Sequence, residues 1–407
     1  MSLITPFSIY NNINFSTYFL NVSGEPCDII FNSPNNFIVV GNITNVNSQS
    51  VSSIAFLDNN YRLDNSFLSV SAISAFNYPL REIKQKSNGD FITMRSYYNS
   101  ETTNNIYNIN TQTKKISSMT NPIFNYTQNR GPAIEIGVDD KLIVGGEFTA
   151  VNNTTRNCLV CLSGTGTTLQ VDNTFRGGVR ISSLVQGYVE KIKTDYTFPG
   201  STPGETIIVA GTFNQVNSTN STTWANRVGI IRLNKSTGLF SGYTFDASLP
   251  VDTTIYDFDI NDIHISDLFY GNILFTTEFG IYVKNSNGSN NSSFIHNIPG
   301  TFWGLKCIYL RTGTNSKKII VFVYGVGGTD TYRLYRLSST GTIDTTFNSP
   351  KGYVQVYGTI PSFDPGMIQM LYENPNNGNI IIGGRINRVE DKFRNGIVVI
   401  DSNGNVI

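Results

Sequence analysis

The sequence predicts an all-β fold: a seven-bladed β-propeller of four-stranded antiparallel blades, closed by an N-terminal strand. Three observations predict it: one pattern recurs at multiples of roughly fifty residues, each copy holds four short apolar runs bounded by turn residues, and the final copy stops before its fourth run. Four copies are clear, at residues 141–175, 206–245, 37–67 and 379–407. Each has an apolar strand closing on Gly, an Asn-rich loop and a second apolar strand. A turn and a terminal Phe complete the copy, except in the last. A four-stranded sheet of this size buries neither face alone, so such units stack face to face around an axis.

Taken in order, the intervals between clear copies hold degenerate ones at 91–124, 272–298 and 318–347, which brings the units to seven. Blades then fall at about 20–67, 68–124, 125–175, 176–245, 246–298, 299–347 and 348–407, one domain in all, since each blade needs only its neighbours. In the clearest copy the strands are 133–138, 142–148, 158–162 and 169–175. Its first hairpin turns at Asp139 and Asp140, as others turn at Asn35–Asn36, Asn88–Gly89 and Asn377–Gly378. These residue types tolerate the positive φ of a tight hairpin. The second hairpins turn at 164–166, 339–341 and 402–404. Residues 13–19 (INFSTYF) match 343–347 (IDTTF), the close of a repeat with no beginning. They are expected to pair with 396–400 and complete the last blade.

The run LIVGGEFTAVNNTTRN at 142–157, followed by a strand, a Gly turn and DNTF at 172–175, resembles the delta-60 repeat. That β-propeller-type repeat occurs in bacterial surface proteins and in phage and viral structural proteins. The resemblance is good in about four of the seven units and implies an architecture, with no catalytic motif to carry over. The family's basic residue before the third strand is matched by Arg156, Arg227 and Arg394 and is absent near Ser52. A role for that Arg in locking neighbouring blades is therefore not uniform.

Charged residues make up 14% of the chain, against roughly 25% in ordinary soluble domains, and Lys plus Arg equals Asp plus Glu at 29 each. No electrostatic footprint for nucleic acid or an anionic membrane follows from that balance. Weak self-repulsion suits a protein built into an assembly. Residues 1–10 carry no basic region, apolar core or cleavage site, so export is not predicted. The longest apolar run, 319–324, is far short of the roughly twenty residues that span a membrane. Four Cys make no disulfide framework.

Each feature that invites chemistry has a structural competitor. Cys158 and Cys161 form Cys-x-x-Cys, but on a strand residues three apart point to opposite faces, against redox or zinc chemistry. Asp257, Asp259, Asn261 and Asp262 mimic the start of a calcium loop, yet the sixth and twelfth positions are Asp262 and Leu268 in place of Gly and an acid. Alternation with Phe258 and Ile260 reads better as a half-exposed strand. The histidines, His264 and His296, adjoin no nucleophile signature. Gly-rich runs at 164–166 and 325–328 lack the Lys-Ser/Thr of a phosphate loop. No catalytic, metal or cofactor residue is therefore named, and the innermost strands offer no recurrent set of carboxylates.

Breaks in the repeat say more. Insertions at 196–205 and 218–226, an Asn/Ser/Gly loop at 284–297 and a long connection at 349–366 are candidate contact segments. Their aromatic residues Trp224, Tyr353, Tyr357 and Phe363 are the candidate interface anchors. The expected function is non-enzymatic: a virion component of a phage tail or attached appendage, acting as adaptor or receptor-facing module, with other tail or capsid proteins as partners, a host surface glycan as a further candidate, and no nucleic acid or membrane partner. The alternatives are a bacterial surface adhesin or lectin-like propeller, and a propeller glycosidase or lyase.

Overall fold

The computed structural model describes residues 22–407 apart from 34–35, 59–60, 65, 67–78, 96–105, 121, 127–131, 165–167, 183–184, 198–203, 218–222, 241–248, 263–269, 327–331, 351–353, 356–367 and 390–391. The expected closing strand at 13–19 lies outside them, as do Tyr353, Tyr357, Phe363 and His264. Among the described residues all strand ladders are antiparallel, and the one parallel contact is an isolated bridge between Thr120 and Thr168.

Seven sheets share one plan, with successive strands paired in sequence order. The first strands are Val22–Ser33, Leu80–Gln85, Ala133–Ile136, Tyr188–Asp195, Ile255–Ile260, Trp303–Tyr309 and Ile368–Glu373. Each pairs with a second strand, Asn36–Val46, Phe91–Arg95, Leu142–Gly145, Thr206–Thr212, Ile273–Thr277, Ile319–Tyr324 or Ile380–Gly384. A third strand follows in each, and we call these sheets units 1 to 7. Units 2 and 3 carry a laddered fourth strand, Lys115–Ser118 and Gln170–Val171. In units 1, 5, 6 and 7 the fourth is reduced to one bridge, Leu57 to Leu63, Lys284 to Asn290, Leu337 to Ile343 and Ile400 to Val406. Four full strands per unit is thus more than the described residues hold.

Second strands are apolar on both faces because both faces are covered. In unit 4, Ile207 and Val209 enter a core with Val179 and Val189, while Ile208 and Ala210 enter another with Ile255 and Phe258. Unit 7 does the same: Ile380 and Ile382 pack with unit 6 residues Phe322 and Leu334, and Ile381 packs with Val39 and Leu57 of unit 1. Each fully buried Val, Leu, Ile or Phe among these stabilises the fold by about 1.5–3 kcal/mol. First strands lie against one another in chain order, and Ile368–Glu373 lies against Val22–Ser33.

The Gly that closes the apolar run of the second strand has a recurrent partner. Ser53, Cys158, Gly229 and Gly396, just ahead of the third strand, all have φ between 62° and 72°. Each carbonyl accepts from the Gly facing it: Gly41, Gly146, Gly211 and Gly384. The same geometry corrects the reading of the cysteines. Left-handed backbone at Cys158 breaks strand alternation, so Cys158 and Cys161 share one core instead of facing apart. Both thiols are buried, and burial pushes each up to about 12, which keeps them protonated and unreactive.

The terminal D-x-T-F is a turn with its own anchor. Thr174 donates through its amide and hydroxyl to Asp172 at 2.8 and 2.6 Å, and Lys141 reaches the other carboxylate oxygen at 2.8 Å. Asp344, Thr346 and Lys318 repeat the set at 3.0, 2.6 and 2.7 Å. Arg156 and Arg227 do not cross between units in the contacts they make: Arg156 bonds Asn173, and Arg227 lies over Phe240. Two arginines within third strands do cross between units. Arg232, fully buried with Asp195, reaches Ser286 O of unit 5, and Arg336 reaches Ser402 O of unit 7.

Candidate functional site

Six of the seven first strands carry a β-bulge at an equivalent place, near the start in five of them and mid-strand in the longer Val22–Ser33. The extra residue is Cys27, Arg81, Glu190, Tyr256, Leu305 or Gln369. A bulge re-aims a side chain without ending the ladder. All but Leu305 line a cavity of about 450 Å³ to which every one of the seven first strands contributes.

That cavity is walled by ionised groups, and the expectation that the innermost strands offer no recurrent carboxylates is overturned. Inner edges of the first strands have no ladder partner, so their N–H groups need other acceptors. Asp28 of unit 1 accepts from Ile83 N of unit 2 at 2.8 Å, and Glu82 of unit 2 accepts from Ile134 N of unit 3 at 2.6 Å. Glu135 of unit 3 accepts from Thr194 N of unit 4 at 3.2 Å. Asp257 and Asp259 of unit 5 accept from Cys307 N and Tyr309 N of unit 6 at 3.0 and 2.8 Å. Lys191 and Lys193 of unit 4 pair with the same two aspartates. Glu373 of unit 7 takes Arg311 N of unit 6 at 2.5 Å, and Tyr372 donates to Asp28 at 2.5 Å, joining unit 7 to unit 1.

The acidic run of unit 5 is therefore a clamp. Asp257 and Asp259 are 3% and 4% exposed, so the strand is not half-exposed as its alternation suggests. Burial opposes ionisation of Asp259, yet Arg311 and Lys193 hold its carboxyl well below the usual range. Asp262 pairs with Arg311 at 2.8 Å. Among the described residues no group of three His, Cys, Asp or Glu is placed to hold a metal.

Glu82 differs from its neighbours. Burial, with the charge of Asp28 added, pushes its carboxyl up to about 7 against the opposing pull of Lys84. Lys84 is in turn held protonated: burial opposes its charge, but Glu82, Glu135 and Asp28 outweigh it. Cys27 is raised to about 11 by burial. His296 is depressed by burial and meets Phe302 edge-on at 5.3 Å. Trp224, on the short strand Trp224–Asn226, lies beneath the Arg180 guanidinium at 3.8 Å.

A family model described as "Domain of unknown function (DUF5122) beta-propeller" matches residues 139–175 and 316–347. These are the two stretches in which the Lys–Asp–Thr–Phe anchor is complete. One is a clear copy and the other a degenerate one, so the anchor is a sharper signature than the Asn-rich loop. The crystal structure of the GH74 xyloglucanase from Xanthomonas campestris is similar over 93% of this chain and 52% of that one, at 10% identity and a TM-score of 0.54. The fold is a β-propeller. The chain spans about half of that enzyme. The Dos1 propeller matches over 96% of this chain and 84% of that one, at 12% identity and a TM-score of 0.49. An extracellular domain of a putative hybrid two-component system from B. thetaiotaomicron matches over 98% and 53%, at 13% identity and a TM-score of 0.40. No curated protein matches the chain.

Proposed function

We propose that the seven units are the seven blades of one closed ring, that the repeat is of the delta-60 type, and that the protein is a non-catalytic binding component of a larger assembly. One observation carries the non-catalytic reading: the cavity carboxylates already serve as acceptors for a neighbouring blade's N–H or as partners of Lys and Arg. A general acid or base needs a proton path to substrate, and these groups are spent on holding blades together. The assembly is a virion, in keeping with the repeat's resemblance to phage and viral structural proteins and with a net charge of zero. Quantitative mass spectrometry of purified particles should find the chain at a fixed ratio to the major structural protein. Its absence from particles would sink the assembly role.

The second reading is a glycosidase, favoured by Glu82, whose raised carboxyl is the property a general acid needs. Its test is a hydrolase assay on a polysaccharide panel. Activity that disappears in Glu82→Gln while the melting temperature holds would replace the non-catalytic reading.

A further inference from the structure

Tyr256, which the bulge of the fifth blade turns into the cavity, stacks on Trp303 of the sixth, with ring centroids 6.2 Å apart and planes at 19°. Trp303 is 37% exposed and opens its strand directly opposite Tyr324. Gly304 beside it is small for a reason: a Cβ there would lie 2.7 Å from Gly280 O. That close approach brings the strand against the turn holding Phe279, which is 61% exposed. Exposed aromatic residues thus mark the face where the first strands begin, and the Trp303–Tyr256 stack carries that surface into the cavity wall.

Beyond Tyr256 the wall offers both signs of charge. Arg81 and Glu190 form a part-exposed pair at 2.7 Å. The Lys306 ammonium lines the cavity with no carboxylate at ion-pair distance among the described residues. Phosphate-bearing chains are disfavoured, because carboxylates outnumber cations in the lining by eight to six. Cationic peptides meet Lys306 in the lining. A neutral sugar chain suits both features: its C–H faces are apolar and lie flat on aromatic rings, while its rim of hydroxyls donates to a carboxylate and accepts from a cation.

We propose that this aromatic strip and the cavity mouth beside it bind a neutral glycan, with sugar rings stacked on Trp303 and Tyr256 and hydroxyls bonded to Glu190, Arg81 and Lys306. Such a site goes beyond the assembly role and stands or falls separately from it.

The chain has two tryptophans, so Trp224→Phe leaves Trp303 as a fluorescent reporter in the full-length protein. Cellohexaose, xylohexaose and chitohexaose would be titrated to about 10 mM, beside hexalysine and a thymidine hexanucleotide. At least one hexasaccharide should saturate the signal. By calorimetry, Trp303→Ala and Tyr256→Ala should each weaken it about tenfold, while Tyr256→Phe, which keeps the ring, retains affinity within about threefold. No saturation by any of the three sugars overturns the site. So does unchanged affinity in both alanine variants, or tighter binding of the peptide or the oligonucleotide. Neither result alters recovery of the chain in purified particles.

Discussion

Glu82 shows how one side chain can serve a blade contact and still leave a pH signature. Its folded carboxyl titrates near 7, whereas an unfolded Glu titrates at about 4.3. Between those values the folded chain holds a proton that the unfolded chain has released, so this residue's contribution to stability falls as pH rises through the window. Glu82→Gln keeps an oxygen for Ile134 N but cannot titrate. Its melting temperature relative to the parent should therefore climb from pH 4.5 to 7.5, and a difference that stays flat would show that Glu82 is ionised throughout. Asp195 carries the opposite lesson. It faces Arg232 with both side chains at 0% exposure, so Asp195→Ala strands a buried guanidinium and should cost about 3–5 kcal/mol by chemical denaturation. A loss under about 1 kcal/mol would mean that water reaches Arg232.

At the scale of the element, the repeat was legible because its turns and apolar runs are local. The positive φ at Asp139 and Asp140, and at Gly89 and Gly378, follows from residue type alone. The cavity was not legible, for two reasons. Bulges insert one residue without changing the look of the strand, so Arg81, Glu190 and Tyr256 read as ordinary alternation. Clamp carboxylates find their partners in the next blade, and the acids at 28, 82 and 135, roughly one repeat apart, were the signal that could have revealed them. The left-handed site before the third strand offers a direct test. Two copies place Gly there, while Ser53 and Cys158 bear a Cβ at φ 62° and 63°. Ser53→Gly should relieve about 1 kcal/mol of backbone strain and raise the melting temperature. Ser53→Val should lower it, and if the order of the two reverses, the crossing is held by the side chain and not by the backbone.

At the scale of the whole molecule, the proposed ring depends on how the seventh unit meets the first. Two contacts frame it. Val179, which follows the terminal Phe175 of the third blade, donates its N–H to Asn157 O at 2.9 Å. Val22 donates to Asn395 O at 3.1 Å, and Asn395 precedes the left-handed Gly396 as Asn157 precedes Cys158. Val22 thus stands to the seventh unit as Val179 stands to the third, and this is the motive for expecting a terminal strand from residues 13–19 ahead of it. The edge it would join is already held at one end, because Ile400 bridges Val406 and Ile407 N donates to Val399 O. Closure by residues 13–19 is therefore expected to complete an edge that the C-terminal residues begin. Deleting residues 1–19 should lower the melting temperature by several degrees, at roughly 2–4 °C per kcal/mol for large domains, and should speed amide exchange at Ile397–Ile400 while leaving Leu159–Ser163 unchanged. An exposed strand edge should also make the truncated chain associate. If the shortened protein melts and exchanges like the parent and stays monomeric, the N-terminal segment takes no part in the ring, and the seventh unit is held to the first by contacts among the described residues, including Tyr372–Asp28, Arg385–Glu25, Val22–Asn395 and the shared apolar core.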